Sequence, residues 1–325
     1  MRPPVSVIIT TYNGASRGFL AQAIQSVMSQ TFRDYELVIV DDGSTDGTRE
    51  ECKRYLVDPR VRYIHQENRG LAGARNRGIG ASSGKYICFL DDDDVWRRDK
   101  LEKQLEFIQL ELKNLGQWGL VFTWIELIDA AGKIIGYRGH HQKGSIHSSL
   151  FYGNTIDAPS SVMVKREVFE KVGLFDEFFR KCQDWDMWLR ISKEYLIFPL
   201  KEYLVKYREH QNSISAKNEE VFFYEQAVLK KALANAPQDI IPRKAYASCY
   251  LNRSVGFFAC DDFGQFRQLF LAGAKLSPRA MRLEHIFLFP LSFVGKKPVH
   301  LLKGIKRAVF KMLMGLKQRR VSQQI

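Results

Sequence analysis

Four consecutive aspartates, Asp91 to Asp94, follow a mostly apolar run in YICFLDDDDVW. Carboxylates crowded at one strand end repel each other unless a cation neutralises them. Their oxygens are hard donors that suit Mg2+ or Mn2+, whereas zinc prefers nitrogen and sulfur. Mg2+ is usually held by one or two carboxylates together with substrate phosphates, so a metal–diphosphate is the simplest ligand for the cluster. An acidic cap on a following helix, expected over residues 98–115, would account for one aspartate but not for four. Asp94 is assigned that capping role.

Other residues could do chemistry beside them. Asp41 and Asp42 in VDDGSTDG close a strand and enter a turn, where a carboxylate can accept from a base N–H or a ribose hydroxyl; the bland alternative is an Asp-Gly turn with Asp46 as a cap. Arg75 in ENRGLAGARNRGIGASSG can meet phosphate charge in a forked geometry, or be a solvated helix cation. The Gly-x-Gly at Gly78 and Gly80 is no dinucleotide fingerprint, because it lies late in a helix pattern and not in the first strand-to-helix turn. Asp184 in CQDWDMWLR starts a helix whose Trp185, Trp188 and Leu189 form an apolar face. Desolvation there raises a carboxylate's basicity, as a general base needs; the alternative is a cap beside core aromatics. His210 follows a strand, and its imidazole can complete a site otherwise built of carboxylates, or lie on the surface.

These residues must be positioned by something. VSVIIT (5–10), ELVIVDD, VRYIHQ and YICFLD read as buried strands. Helical patterns at 19–30, 46–56 and 71–84 separate them. Continuous Val, Ile and Leu between helices predicts a parallel sheet covered on both faces, with ligands beyond the carboxyl ends of its strands. Residues 120–137 read as a hairpin turning at Ala130–Gly132. A strand and short helix follow around residues 160–173, then a helix at 184–194 and a late strand at 204–210. After about Ser215 helices dominate, at 219–234, 243–258 and 263–276. The boundary is therefore set there: 1–215 as the catalytic domain, 216–325 as a helical accessory region.

In combination VSVIITTYNG, SVMSQTFRDYELVIVDDGSTDGT, NRGLAGARNRGI, GKYICFLDDDDVW, FEKVGLFDE, QDWDMWLR and REHQNSIS resemble the family-two glycosyltransferases. The resemblance covers roughly the first 215 residues. It implies a GT-A fold, α/β and Rossmann-like, with a mostly parallel sheet flanked by helices. It also implies inverting transfer of a sugar from a nucleoside-diphosphate sugar, with UDP favoured, using Mn2+ or Mg2+. By the same resemblance Thr11, Tyr12 and Asn13 would line the nucleotide pocket. Asp42 would accept from the base, with Asp41 beside it, and Arg75 would lie near the phosphates. Asp91 and Asp93 correspond to the family's DxD. Asp93 is then the direct metal ligand, and Asp91 or Asp92 serves the ribose or a metal-bound water. Asp184 matches the base, with Asp186 in reserve because Gln183 stands where the family usually has Glu. His210 matches a position that contacts metal or diphosphate. The implied acceptor is a hydroxyl of a glycan or lipid-linked molecule, in bacterial cell-surface polysaccharide synthesis.

Composition agrees with a globular enzyme. The 325 residues are 45% hydrophobic, and the five cysteines form no CxxC pair, which excludes a zinc ribbon and points to a reducing compartment. No signal peptide is apparent. The most apolar late run, IFLFPLSFV, falls short of the ~20 residues of a membrane span. A cytoplasmic protein is expected. The net charge of +13 is uneven: from Arg279 onward Glu284 is the only acid, against eleven Lys or Arg. Leu301, Leu302, Ile305, Val309, Met312, Leu313 and Leu316 recur at helical spacing among Lys303, Lys306, Arg307, Lys311 and Lys317. This predicts peripheral contact with an anionic membrane face through residues 296–320. No aromatic-basic motif supports nucleic acid as a partner. Two further classes compete with the enzyme: a non-catalytic nucleotide-sugar-binding protein, and a basic scaffold whose acidic cluster is structural.

Overall fold

The computed structural model describes residues 3–210 and 218–293. The first apolar run forms β1 (Val5–Thr11), buried along its whole length. One helical turn, α1 (Gly14–Arg17), leads to α2 (Leu20–Met28). There Leu20, Ala23, Ile24 and Val27 fall at i, i+3, i+4 and i+7, and all are buried. The alternation continues through β2 (Tyr35–Asp41), α3 (Thr48–Lys53), β3 (Val61–His65), α4 (Gly70–Ala81) and β4 (Tyr86–Asp91). β1, β2 and almost all of β4 are buried, which explains their unbroken Val, Ile and Leu.

These strands pair in parallel in the order β3-β2-β1-β4. The chain leaves β1 on one side and comes back to its other side at β4. Such a reversal opens a crevice beyond the carboxyl ends of the strands. Register decides what meets there. Thr11 pairs with Asp41, and Thr10 with Asp91. The two acidic strand ends thus flank β1 at one level, two strand spacings or roughly 10 Å apart.

The second half of the sheet is mixed. It comprises β5 (Val95–Trp96), α5 (Lys100–Phe107), β6 (Trp118–Ile128), β7 (Ile134–Arg138), α6 (His147–Leu150), β8 (Val162–Lys165), α7 (Arg166–Val172), α8 (Gln183–Glu194) and β9 (Leu196–Arg208). β8 runs antiparallel between β4 and β6, β9 runs parallel to β6, and β5 lies on the outer edge of β9. The expected hairpin is β6–β7. Asp129 Oδ1 accepts from the Ala131 and Lys133 N–H groups, and Gly132 takes the left-handed conformation at φ 82° that the turn demands.

The sequence misjudged three features. β5 hides in the two residues after the aspartates. β9 starts at Leu196, before the expected Leu204, because Pro199 disguises it; Pro199 is opposite Phe122 of β6, and the β5 ladder begins only at Val205. The expected helix over residues 98–115 is α5 followed by a wider π turn at Ile108–Leu112.

The chain divides into two compact units, Met1–Ile240 and Ile241–Ile325. The boundary expected after Ser215 comes too early, because α9 (Asn218–Leu233) is tied to the first unit. Lys181 pairs with Glu220 at 3.1 Å, and Lys231 pairs with Asp176 at 2.8 Å and Asp186 at 2.7 Å. The second unit is helical: α10 (Pro242–Ala259), α11 (Phe263–Leu276) and α12 (Leu283–Leu291). Phe258 joins the first two through ring contacts with Phe263 and Phe266. α12 leaves Leu283, Ile286 and Phe287 exposed. No described helix is long and apolar enough to cross a membrane. The amphipathic pattern at residues 301–317 lies outside the described residues.

Candidate active site

A cavity of about 440 Å³ opens at the carboxyl ends of β1, β2 and β4. Of the residues singled out in the sequence, Thr11, Tyr12, Asn13, Asp42, Asp91, Asp92 and Asp93 line it. Asp41, Arg75, Asp184 and His210 do not appear in its wall.

Asp41 and Asp42 separate in role. Asp42 Oδ1 accepts from Gln66 Nε2 at 2.7 Å and from the Arg69 N–H at 2.9 Å, which holds the carboxylate at the cavity wall. Asp41 is wholly buried. Burial alone would raise its carboxyl, but donation by Ser44, Tyr63 and His65 outweighs that and holds it below the ordinary carboxylate range. It shapes the turn at Gly43, whose φ of 85° excludes most side chains and where a Cβ would meet the Asn68 nitrogen at 2.9 Å. Asp41 thus stands behind Asp42 and outside the lining, where a ligand-contacting role had been expected.

The four aspartates have four different sets of partners. Asp91 Oδ1 accepts from Arg75 Nη2 at 2.7 Å. Asp92 Oδ2 accepts from Arg17 Nη2 and from Thr11 Oγ1, both at 2.5 Å. Burial pushes the Asp92 carboxyl up to about 7 against the pull of that guanidinium. Asp93 Oδ2 lies 2.9 Å from His210 Nε2. Asp94 is fully buried and accepts from Ser160 Oγ at 2.6 Å and the Arg208 N–H at 2.9 Å. Asp94 is therefore no helix cap. α5 starts six residues past it, after Asp99, and its first turn takes no side-chain cap. The reason is tertiary: Asp94 fastens β4's exit to β9.

Arg75 is 1% exposed and lies one layer behind the cavity wall, held against Asp91. Its Nε and Nη1 are buried without a partner among the described residues. Its charge reaches Asp184 as well. Burial raises the Asp184 carboxyl above the ordinary range, and Arg75 pulls it back only in part. Asn154 Nδ2 donates to Asp184 Oδ2 at 3.0 Å. Asp186, in the same first turn of α8, is spoken for: Arg190 holds Oδ2 at 2.8 Å and Lys231 holds Oδ1 at 2.7 Å. α8 is entered through Cys182 at φ 59°, and α1 through Asn13 at φ 51°. Left-handed backbone at non-glycine residues, one of them in the cavity wall, marks strain that the surrounding fold must hold.

Among the described residues, no three His, Cys, Asp or Glu side chains form a preformed ion cage. Asp93 nevertheless lines the cavity together with Asp91, and His210 Nε2 lies against its carboxylate. That set fits a divalent ion completed by a diphosphate and water. Two residues escaped the sequence reading. Arg17 had no signal around it. Arg208 had one, because strand alternation puts it on the face of His210. Arg208 spans the site from behind, donating to the Asp93 carbonyl, to the carbonyls of Asp129 and Ala130, and to Gln22.

Known proteins resemble this chain. The family model described as "Glycosyl transferase family 2" matches residues 6–173, more than half of the chain. The putative teichuronic acid biosynthesis glycosyltransferase TuaG of Bacillus subtilis is 34% identical over 218 residues, covering 66% of this chain and 82% of TuaG. Longer glycosyltransferases from Rickettsia species also match, and the chain spans 38%, 33% and 32% of their lengths. Among solved structures, S. aureus TarS 1-349 in complex with UDP-GlcNAc superposes with a TM-score of 0.61 at 17% identity, covering 86% of this chain and 83% of that one. The mannosyltransferase PcManGT from Pyrobaculum calidifontis, in complex with GDP-Man and Mn2+, gives 0.60 at 19% identity, covering 95% and 87%. The GT-A fold is shared with these neighbours, and by its sequence the chain belongs to glycosyl transferase family 2.

Proposed function

We propose that the protein is an inverting, divalent-metal-dependent glycosyltransferase. It moves a sugar from a nucleoside-diphosphate sugar, with UDP favoured, to a hydroxyl of a glycan or lipid-linked acceptor in bacterial cell-surface polysaccharide synthesis. The observation that carries this is the cavity's polarity. Asp42 lies at one end, suited to a base or ribose, and Asp91 with Asp93 at the other, two strand spacings across β1. The ligands printed for the two structural neighbours, UDP-GlcNAc and GDP-Man with Mn2+, support a sugar nucleotide as donor. TuaG's described role supports a cell-surface product.

Asp93 and His210 would hold the ion. When bound, Mn2+ or Mg2+ supplies Lewis-acid stabilisation of the charge that gathers on the leaving diphosphate. Asp184, its basicity raised by burial, takes the proton of the acceptor hydroxyl. The freed oxygen attacks the anomeric carbon from the face opposite the diphosphate, the bond to the diphosphate breaks, and the configuration inverts. Arg75 fixes Asp91 and draws the Asp184 carboxyl part of the way back down. Asp186, with both oxygens in ion pairs, is the weaker candidate base.

A thermal-shift screen of nucleotide sugars with and without Mn2+ identifies the donor. Turnover in D184N then decides the class. Lost turnover with donor binding kept supports the transferase; unchanged turnover removes Asp184 as the base. A chain that binds sugar nucleotides but transfers no sugar to any acceptor is the binding protein instead. The basic C-terminal region, with the exposed apolar residues of α12, is proposed to meet anionic lipid. The chain should co-sediment with phosphatidylglycerol vesicles and not with neutral ones; equal recovery with both counts against it.

A further inference from the structure

Arg17 is the single cation among the described residues that line the cavity, and it shares that lining with the carboxylates of Asp42, Asp91, Asp92 and Asp93. A diphosphate entering so acidic a wall needs positive charge close by. Arg17 is built to give it. Its Nη2 donates to Asp92 Oδ2 at 2.5 Å and to the Tyr12 carbonyl at 3.1 Å, so the head group is pinned to the ends of β1 and β4. Its Nε and Nη1 make no hydrogen bond or ion pair among the described residues, and the side chain stays 26% exposed. The pin is itself supported, since Thr11 Oγ1 donates to the same Asp92 oxygen. Only glycine leaves room for this at position 14, where a Cβ would sit 2.2 Å from Thr11 Oγ1 and 2.9 Å from Asp92 Oδ2.

We propose that Arg17 is a donor-specificity residue that selects the diphosphate, and that Asp92 is its positioning residue, not a ligand of the ion or the ribose. Held at Nη2, the guanidinium still offers its remaining N–H bonds to phosphate oxygens, a charge-assisted pairing that a nucleoside lacks. Arg17 and Asp92 thus bias the cavity towards diphosphates before any sugar is recognised. This assignment rests on the donor site proposed above.

Calorimetry on the full chain with Mn2+ tests it, using UDP and GDP against uridine and guanosine. For whichever pair the wild type binds, R17A should lose about tenfold in diphosphate affinity while nucleoside affinity stays within about twofold. R17K, which keeps the charge, should recover part of the loss. Mn2+ alone, followed by electron paramagnetic resonance, should still bind D92N. D92N should weaken diphosphate binding in the same direction. Equal losses for nucleoside and diphosphate reduce Arg17 to a structural tie and overturn the proposal, as does unchanged diphosphate affinity. Abolished Mn2+ binding in D92N overturns the role given to Asp92. Should R17A melt far below wild type, R17Q makes the same comparison with the side chain's bulk kept. A wild type that binds neither UDP nor GDP overturns the donor site itself, and this assignment with it, without any variant.

Discussion

The aspartates at the end of β4 and those at the start of α8 solve one problem in two ways. At β4 four neighbours in sequence are given separate counterparts: Arg75, Arg17, His210, and Ser160 with Arg208. At α8 two neighbours share one helix turn, and both strong cations go to Asp186, while Asp184 has Asn154 and a buried setting. In each region one carboxylate is consumed by the fold, Asp94 or Asp186, and another, Asp93 or Asp184, is the one proposed for chemistry. Identity of residue type therefore says little about role; the partner decides it.

The sharpest way to break this comparison is at α8. D184N should lower kcat about 10³-fold, worth about 4 kcal/mol, with sugar-nucleotide affinity unchanged. D186N should cost about 3 kcal/mol of stability in urea unfolding, because Arg190 and Lys231 lose a buried partner, and should affect kcat far less. A stable D186N with the larger fall in kcat would reverse the two roles. At β4 the same contrast is expected on a smaller scale. D94N should lose about 2 kcal/mol of stability, since the Arg208 N–H and Ser160 lose a buried carboxyl acceptor. D93N should keep its melting temperature and weaken UDP–Mn2+ binding at least tenfold by calorimetry. Matching stability losses in the two variants would show that the β4 aspartates are not divided.

Lys100 supplies the control, a buried amine with no carboxylate ion pair among the described residues. Its Nζ lies over the Trp96 ring and donates to Gln104, and burial brings its pKa down to about 8. The folded state therefore binds the proton less well than the unfolded chain, whose lysine titrates near 10.5. The stability tied to neutral Lys100 is present above that value and lost as pH falls through about 8. Raising pH from 7 to 9.5 should thus stabilise the wild type by about 2 kcal/mol more than K100M. Identical pH profiles in the two proteins would mean that Lys100 stays charged where it is buried.

Much of the site was legible because strands announce themselves. Thr11, Tyr12, Asn13, Asp42, Asp91 and Asp93 lie at or just beyond the ends of β1, β2 and β4, and apolar runs broken by helices are enough to locate such ends. The division between Asp41 and Asp42 was not legible, since Tyr63 and His65 come from the next strand. Asp94 looked like a cap because a helix follows it. Its true partners, Ser160 and Arg208, are 66 and 114 residues away. α9 looked like the start of a helical region because its ion pairs to Asp176 and Asp186 cannot be read from its own residues.

Local pattern was sufficient for the alternating α/β order, the acidic strand ends and the motifs of the family. Those depend on periodicity and turn chemistry, which act over a few residues. Only the tertiary structure decided which carboxylate meets which cation. An ion pair or a buried hydrogen bond depends on distance in space, and strand order with register brings Arg17 to Asp92, Arg75 to Asp91 and His210 to Asp93 from positions that carry no mutual signal along the chain.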